Sequence, residues 1–291
     1  MNLAAGVPEP AGAAGEREFG YTRRDFERVR RLIYRHAGIA LNDSKVDMVY
    51  SRLARRIRAL GLQRMRDYLD RVEGDDSAEW QAFTNALTTN LTSFFREPHH
   101  FEALRGWLAG VPPTRPVRIW CAAASTGEEP YSIAMTVMEH YRNVWPPVSI
   151  LATDVDTSVL ATAEAGIYPD DRVHALSKAR LRRFFRRGTG ERAGYVRVAD
   201  DVRALVRFEP LNLLEQDWAV RGPLDVIFCR NVMIYFDKAT QHRILSRFVP
   251  LLAADGLLFA GHSESFMHAA DLFRPCGRTV YRLATPAGGA G

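Results

Sequence analysis

The chain has 291 residues, of which 47% are hydrophobic and 25% are charged, a composition typical of a globular protein with one large or two modest domains. Every apolar run is shorter than the roughly 20 residues that span a bilayer, so direct membrane insertion is not expected. The net charge of +5 is modest, and the three cysteines, Cys121, Cys229 and Cys276, lack metal-ligand spacing, so no metal site is predicted. Residues 1–18 and 285–291 are predicted to be disordered tails.

Residues 19–88 are predicted to form a helical N-terminal domain. Apolar residues recur at helical spacing over Asp25–Ala37, which Gly38 ends, over about Lys45–Leu60, and over Glu79–Leu91. These patterns predict amphipathic helices, each with one apolar and one polar side.

The helical region carries an excess of positive charge, with 15 Lys and Arg against 7 Asp and Glu between Arg17 and Arg71. Arg52, Arg55 and Arg56 fall on the polar side of the second predicted helix. Such a run is most often a solvated helix face. Its clustering on one side is also typical of a docking surface for an acidic partner.

Residues 89–115 are predicted to be a linker segment between the helices and a sheet. Polar Asn90, Thr92 and Arg96 interrupt an apolar stretch here, and a short helix is predicted over Pro98–Leu108. The pair His99-His100 at its start is interpreted as helix surface rather than as a metal pair, because adjacent helical positions face apart.

From residue 116 to residue 284, strands alternate with helices, which predicts a parallel α/β sheet. Helices are expected over Thr157–Ala165 and Lys238–Leu252. The predicted strands are Val117–Cys121, Val148–Ala152, Leu205–Glu209, Leu224–Cys229, Gly256–Ala260 and Thr279–Leu283.

Residues of about 167–203 break this alternation. A helical pattern over Leu176–Phe185 leads through a turn signal at 186–194 into the alternating strand Tyr195–Val198. The pattern predicts a small antiparallel hairpin inserted into the sheet domain, with an edge open to an added strand from a partner.

The loop Ala122–Pro130 follows the first strand and leads into a helix, the usual position of a ligand cradle in a Rossmann-like sheet. It has one glycine, and Glu128 and Glu129 stand where a pyrophosphate would require N–H groups without negative charge. A positively charged nucleotide without phosphates fits better, and S-adenosylmethionine is the common one. The alternative is an ordinary strand–helix turn, and the residues leave open which glutamate would contact the ligand.

Polar residues also follow the next strands, and ligands bind at the carboxyl ends of strands in open α/β sheets. Asp154 follows the second strand and suits two ribose hydroxyls, since Asp156 can cap the next helix. Asn212, a polar residue, and Leu213, an apolar one, could contact the edge of an adenine ring. Arg230 and Asn231 follow another strand, but this pair alone is a weak signal.

Five motifs extend these observations: TTNLTSFFRE at 88–97, AAASTGEEPYS at 122–132, ATDVD at 152–156, FCRNVMIYFD at 228–237 and LFAGHSE at 258–264. With these motifs in the same order, the chain resembles the CheR chemotaxis methyltransferases from about Phe19 to Leu283. The resemblance implies a class I methyltransferase sheet with a small antiparallel β-subdomain, preceded by an all-α domain. It also implies methyl transfer from S-adenosylmethionine to chemoreceptor glutamates, which gives γ-methyl esters and S-adenosylhomocysteine.

The resemblance also implies roles for single residues. Arg96 and Tyr235 would lie nearest the transferred methyl group. Arg52, Arg55 and Arg56 would dock on receptor helices, and the turn with Arg187, Gly188 and Gly190 would belong to a subdomain that binds a receptor's C-terminal pentapeptide. The implied cofactor contacts are Asn90, Thr92, Arg96, Glu129, Asp154, Asn212, Leu213, Arg230 and Asn231.

By the same resemblance, the protein is expected to act as a cytoplasmic monomer that is recruited to membrane chemoreceptor arrays. A nucleic-acid methyltransferase is the first alternative, but the Asn/Asp-Pro-Pro-Tyr/Phe signature of amino-methylating enzymes is absent, and Arg230-Asn-Val-Met stands at that strand end. The second alternative is a non-catalytic adaptor. The presence of Arg96, Asp154, Asn231 and Tyr235 argues against it.

Overall fold

The computed structural model describes residues 17–74 and 77–284. The two predicted tails therefore lie outside the described residues, except for Arg17 and Glu18. Both of these form ion pairs with the helical domain, Arg17 with Asp47 at 2.7 Å and Glu18 with Arg58. Among the described residues, no helix combines the length and the apolar character that crossing a membrane requires.

The N-terminal domain contains four helices, α1 (Arg23–Ala37), α2 (Val46–Ala59), α3 (Met65–Glu73) and α4 (Ser77–Leu87). A capping box of Thr22 and Asp25 starts α1, and Gly38 ends it at φ 69°, as its sequence position predicts. The apolar sides of the helices meet in a core of their own. The sequence reading missed α3 and extended α4 too far, because Thr88 begins an irregular segment.

The larger sheet has seven strands in the order β6-β2-β1-β7-β8-β10-β9. The first five of these are parallel, and β10 pairs antiparallel with both β8 and β9. All six predicted strands are confirmed, whereas β9 was missed. The seven strands are β1 (Val117–Cys121), β2 (Val148–Asp154), β6 (Val206–Pro210), β7 (Leu224–Phe228), β8 (Leu252–Phe259), β9 (Phe273–Gly277) and β10 (Val280–Leu283).

Helices cover both faces of this sheet. Alternate residues of β1 enter different cores, so that Ile119 packs with α6 on one face and Trp120 packs with α10 on the other. The connection from β1 to β2 therefore crosses one face of the sheet, and the connection that leads to β7 crosses the other face. This opens a crevice at the carboxyl end of β1. The helices are α5 (His99–Leu108), α6 (Glu128–Tyr141), α7 (Thr157–Ala165) and α10 (Lys238–Phe248).

A second, three-stranded sheet is inserted between α7 and β6. Its strands β3 (Ile167–Pro169), β4 (Phe185–Arg187) and β5 (Tyr195–Val198) are antiparallel in the order β3-β5-β4. The predicted hairpin is confirmed as β4 and β5, and β3 adds a third strand. The short helices α8 (Lys178–Phe184) and α9 (Asp200–Arg203) complete this β-subdomain.

Gly38 lies where the helical domain meets the sheet domain, and it allows a matched test of this contact. A Cβ atom at Gly38 would lie 2.7 Å from the Phe236 ring and 2.9 Å from Leu214, whereas one at Gly61 would meet nothing within 4 Å. The two glycines have similar backbone angles, φ 69° and φ 67°, so replacement by Ala strains both equally.

We expect Gly61→Ala to lower the free energy of unfolding by about 1 kcal/mol, the cost of the left-handed backbone. Gly38→Ala should lower it by about 1–3 kcal/mol more, because it also overpacks the contact between the domains. Urea denaturation of both variants measures the difference. Equal losses would show that the contact around Gly38 adapts to the extra methyl group.

Candidate active site

One cavity of about 210 Å³ opens at the carboxyl ends of β1, β2, β6 and β7. The helical domain forms its other wall, through residues that sequence reasoning did not assign to a site: Ala37, Ile39, Leu41, Lys45 and Met48. The cavity brings together all ten side chains predicted to contact the cofactor or the methyl group: Asn90, Thr92, Arg96, Glu129, Asp154, Asn212, Leu213, Arg230, Asn231 and Tyr235.

Asp154 and Asp156 divide two roles at the end of β2. Asp156 caps α7 by accepting from the Ser158 N–H at 2.9 Å, and its second oxygen accepts from Asn90 Nδ2 at 2.8 Å. Asp154 lines the cavity and accepts from the Ser125 N–H at 2.8 Å. Burial raises the pKa of Asp154 to about 6. When it is ionised, the Asp154 carboxylate at the cavity can accept further hydrogen bonds.

The structure separates the two adjacent glutamates at the start of α6. Glu128 is completely buried and pairs with Arg172 and with the Thr126 hydroxyl, which donates at 2.6 Å. Glu129 lines the cavity, where Arg230 Nη1 donates to it at 2.6 Å and the Cys121 thiol donates at 3.3 Å. Of the two glutamates, Glu129 alone lines the cavity, which favours it as the one that would contact the ligand.

Burial raises the pKa of Glu129, and the charge of Arg230 works in the opposite direction. Burial also raises the pKa of the Cys121 thiol, which therefore stays protonated and able to donate. Cys121 and Cys229 are both buried free thiols.

Arg230 is 3% exposed and connects three segments. Besides Glu129, its guanidinium donates to the carbonyl of Arg96 at 2.6 Å and lies 3.3 Å from Glu97 Oε2. Burial alone would raise the pKa of Glu97, but the hydrogen bond from His262 and the charge of Arg230 lower it to about 2. Sequence reasoning missed Glu97, although it belongs to the first of the five motifs.

Asn231 and Tyr235 lie on a turn held by Glu264. Asn231 adopts φ 57°, and its N–H donates to the buried Glu264 carboxylate at 2.9 Å. Gly261 donates to the same carboxylate at 2.5 Å, so Glu264 joins the loops after β7 and β8. The Tyr235 carbonyl accepts from the Ala40 N–H of the helical domain at 3.1 Å, which places its side chain at the cavity.

Asn212 also connects the domains. Its amide donates to the His36 carbonyl at the end of α1 at 2.6 Å, while its oxygen accepts from the Leu214 N–H at 3.0 Å. Leu213 supplies an apolar lining beside it. The Asn212 side chain thus holds the cavity wall, and the predicted adenine contact remains a prediction.

Arg96 stands at the cavity with part of its side chain exposed. Its guanidinium donates to the carbonyl of Leu91 at 2.9 Å, which folds the segment of Asn90 and Thr92 back over the cavity. The Asn90 carbonyl accepts from the Ser125 hydroxyl at 3.1 Å, so this segment is also tied to the loop after β1.

The predicted docking arginines have different environments. Arg52 donates to the Thr88 carbonyl at 2.5 Å, and Arg56 donates to the buried Glu79 through two bonds of 2.8 and 2.7 Å. Arg55 is exposed. The predicted tether residues lie at the end of β4 and in the following turn, and none of them lines the cavity: Arg187, Gly188 and Gly190.

The interpretation of His99-His100 as helix surface is wrong for His100, which is fully buried with its Nε2 2.7 Å from Thr279 Oγ1. The first turn of α5 packs His100 against Phe259 of the sheet. Ligand atoms of Glu97, His99 and His100 lie within 4.8 Å of one another, a spacing that could hold a metal ion. The Arg230 guanidinium already places a cation beside Glu97, and the expected absence of a metal stays a prediction.

Comparisons with known proteins agree with this geometry. The family model "CheR methyltransferase, SAM binding domain" matches residues 90–282, and "CheR methyltransferase, all-alpha domain" matches residues 24–88. Chemotaxis protein methyltransferase 2 of Pseudomonas aeruginosa is 53% identical over 276 residues, 94% of this chain and 98% of that protein. The chemotaxis protein methyltransferase of Escherichia coli is 52% identical over 260 residues, 89% of this chain and 90% of that protein.

Solved structures of other methyltransferases align less well. The TehB-like SAM-dependent methyltransferase from Corynebacterium glutamicum is 14% identical and gives a TM-score of 0.35, covering 64% of this chain and 97% of that one. This score is too low to support an argument.

The raised pKa of Asp154 predicts how ligand affinity depends on pH. In the predicted ribose contact, the hydroxyls donate to the ionised Asp154 carboxylate, and protonation below its pKa of about 6 removes acceptor capacity. Calorimetry with S-adenosylhomocysteine should therefore give a constant Kd above about pH 7 and a Kd that weakens toward about tenfold per unit below pH 6. Asp154→Asn should bind more weakly and lose this slope. A slope retained in Asp154→Asn would assign the titration to another group.

Proposed function

We propose that this chain, which belongs to the CheR methyltransferase family, transfers the methyl group of S-adenosylmethionine to glutamate side chains of chemoreceptors. The products would be glutamate γ-methyl esters and S-adenosylhomocysteine. The observation that carries the proposal is the convergence of ten predicted side chains, drawn from five segments of the chain, on one cavity.

The residues of the cavity fit a phosphate-free nucleotide. Two buried carboxylates, Glu129 and Asp154, line it where a pyrophosphate would be repelled. Asp154 suits the two ribose hydroxyls, Glu129 suits the ammonium of the methionine end, and Leu213 with Asn212 borders the space left for the adenine. When bound, the cofactor supplies an electrophilic methyl group on a sulfonium.

The transfer requires little acid–base help from the protein. A glutamate carboxylate is already ionised at neutral pH, so one of its oxygens can attack the methyl group directly while the sulfur keeps the electrons of the broken bond. The protein therefore has to position the carboxylate and exclude water. Arg96 would hold the incoming carboxylate, and Tyr235 would orient it or line the methyl site.

Docking and tethering are the finer parts of the proposal. The excess positive charge of the helical domain complements acidic receptor helices, and Arg55 is its best candidate because Arg52 and Arg56 bond within the domain. The open edge of β4, which pairs only with β5 in the β-subdomain, would take a receptor C-terminal pentapeptide as an added strand. We further propose that the protein acts as a monomer in the cytoplasm, at receptor arrays.

Labelled S-adenosylmethionine with receptor-containing membranes tests the proposal. We expect base-labile label on the receptor, as methyl esters require, and its absence would favour the adaptor alternative.

Tyr235→Phe should lower kcat while the Kd for S-adenosylhomocysteine changes little. Arg96→Ala should lower kcat by about 100-fold, because the acceptor is no longer positioned, and should also weaken cofactor binding. Arg105→Ala, an exposed arginine on α5, is the control. Near-normal turnover in both Tyr235→Phe and Arg96→Ala would contradict the roles proposed for Tyr235 and Arg96.

The docking surface can be tested with a charge reversal at Arg55. Arg55→Glu should raise the KM for the receptor by about fivefold at low salt, with less effect at high salt, because exposed charges act mainly on encounter. The Kd for S-adenosylhomocysteine should not change. Arg66→Glu, at another exposed arginine that lies on α3, is the control, and an equal effect there would indicate only a general charge effect.

A further inference from the structure

Arg172 of the β-subdomain reaches into the wall of the cavity. It lies in a short 3₁₀ turn, Asp170–Val173, directly after β3. Its guanidinium donates to the carboxylate of Glu128 and, at 3.1 Å, to the carbonyl of Thr92. Thr92 lines the cavity, and Glu128 precedes the lining residue Glu129. One side chain of the inserted subdomain thus joins two wall segments that belong to different parts of the chain.

The buried charge of Glu128 requires the ion pair with Arg172. Glu128 has no solvent exposure, and Arg172 is the one cation that forms an ion pair with it in the described part of the chain. A carboxylate in this position needs its partner and its hydrogen bonds, because desolvation is otherwise not compensated. The position of the loop before α6 is therefore coupled to the position of Arg172.

A second contact holds the same loop. The Tyr168 hydroxyl on β3 donates to the Thr126 carbonyl at 2.7 Å. Gly127 follows at φ 98°, and a Cβ atom there would lie only 2.8 Å from the Tyr168 hydroxyl and from Ala163. The subdomain thus contacts the loop at Thr126 through Tyr168 and at Glu128 through Arg172, directly before Glu129.

We propose that Arg172 is a positioning residue for the cofactor, through which the β-subdomain forms part of the cofactor site. Arg172 touches no ligand. It fixes the Thr92 segment against the start of α6, so that Thr92 and Glu129 keep the spacing that the ligand requires. The inference deepens the proposed function and rests on it, and it gives the subdomain a role that does not depend on any receptor peptide.

The test measures binding of S-adenosylhomocysteine by calorimetry, together with Tm, in full-length variants and without receptor. Arg172→Ala should weaken the Kd by about tenfold, a coupling in the middle of the usual range for residues in one hydrogen-bond network, and should lower Tm. Arg172→Lys, which keeps the charge but not the forked geometry, should lie between Arg172→Ala and the wild type. Arg183→Ala is the matched control, because Arg183 joins the same subdomain to the far end of α6 by donating to the Met138 carbonyl at 3.2 Å.

A double variant separates positioning from stability. In Arg172→Ala/Glu128→Gln the buried charge is removed with its partner, so Tm should recover toward the wild-type value, while the Kd stays weakened because the bond to Thr92 is still missing. A Kd that recovers together with Tm would overturn the proposal and leave Arg172 a purely structural role. An unchanged Kd in Arg172→Ala would overturn it as well. If the wild type itself fails to bind S-adenosylhomocysteine, the proposed function fails, which is a different result.

Discussion

The buried ion pair of Arg230 with Glu129 is the constraint on which the site depends. Neither side chain could be left unpaired at this depth, because an isolated buried charge costs several kcal/mol or more. Arg230 meets Glu129 at 2.6 Å and also bonds the Arg96 carbonyl, so the ends of β7 and β1 and the segment before α5 must come together for these charges to be compensated. Glu97 adds a second carboxylate on the other side of the same guanidinium. The folded sheet therefore holds these cavity residues together through one guanidinium.

The helical domain is part of this assembly rather than an appendage. Its contacts with the sheet domain include hydrogen bonds to or from main-chain groups: His36 accepts from Asn212, Ala40 donates to Tyr235, and Gln81 donates to the Val155 carbonyl. Each of them fixes a loop that lines the cavity or lies next to it. The helical domain thus shapes the space of the cavity, and the docking surface proposed for it lies on the same domain.

The sequence predicted six of the seven strands of the larger sheet and the polar residues at their carboxyl ends, because these follow from local patterns and from a general rule about α/β sheets. It could also separate Asp154 from Asp156 by counting from the helix start. It could not find Glu97, Glu264 or Arg172, whose roles come from partners far along the chain: Glu97 and Asn231 are 134 residues apart. The surface interpretation of His100 failed for the same reason, since helical spacing does not say that the first turn of α5 packs against Phe259. Strand β9 is short and mostly exposed, whereas helix α3 was missed although its buried residues, Met65, Tyr68, Leu69 and Val72, recur at helical spacing.

The charges of the cavity also explain why a glycine-poor loop suits its ligand. A glycine-rich loop brings many N–H groups to a pyrophosphate, whereas here the loop is followed by Glu128 and Glu129. Glu128 is paired with Arg172, which does not line the cavity, and Glu129 is paired with Arg230, which does. Burial raises the pKa of both Glu129 and Asp154, so each carboxylate gains when a ligand brings a positive charge or hydroxyl donors. A diphosphate would bring negative charge to the same two groups and would raise their pKa further. With the proposed cofactor contacts, the desolvation that destabilises the ionised carboxylates in the free protein would favour a sulfonium nucleotide over a dinucleotide.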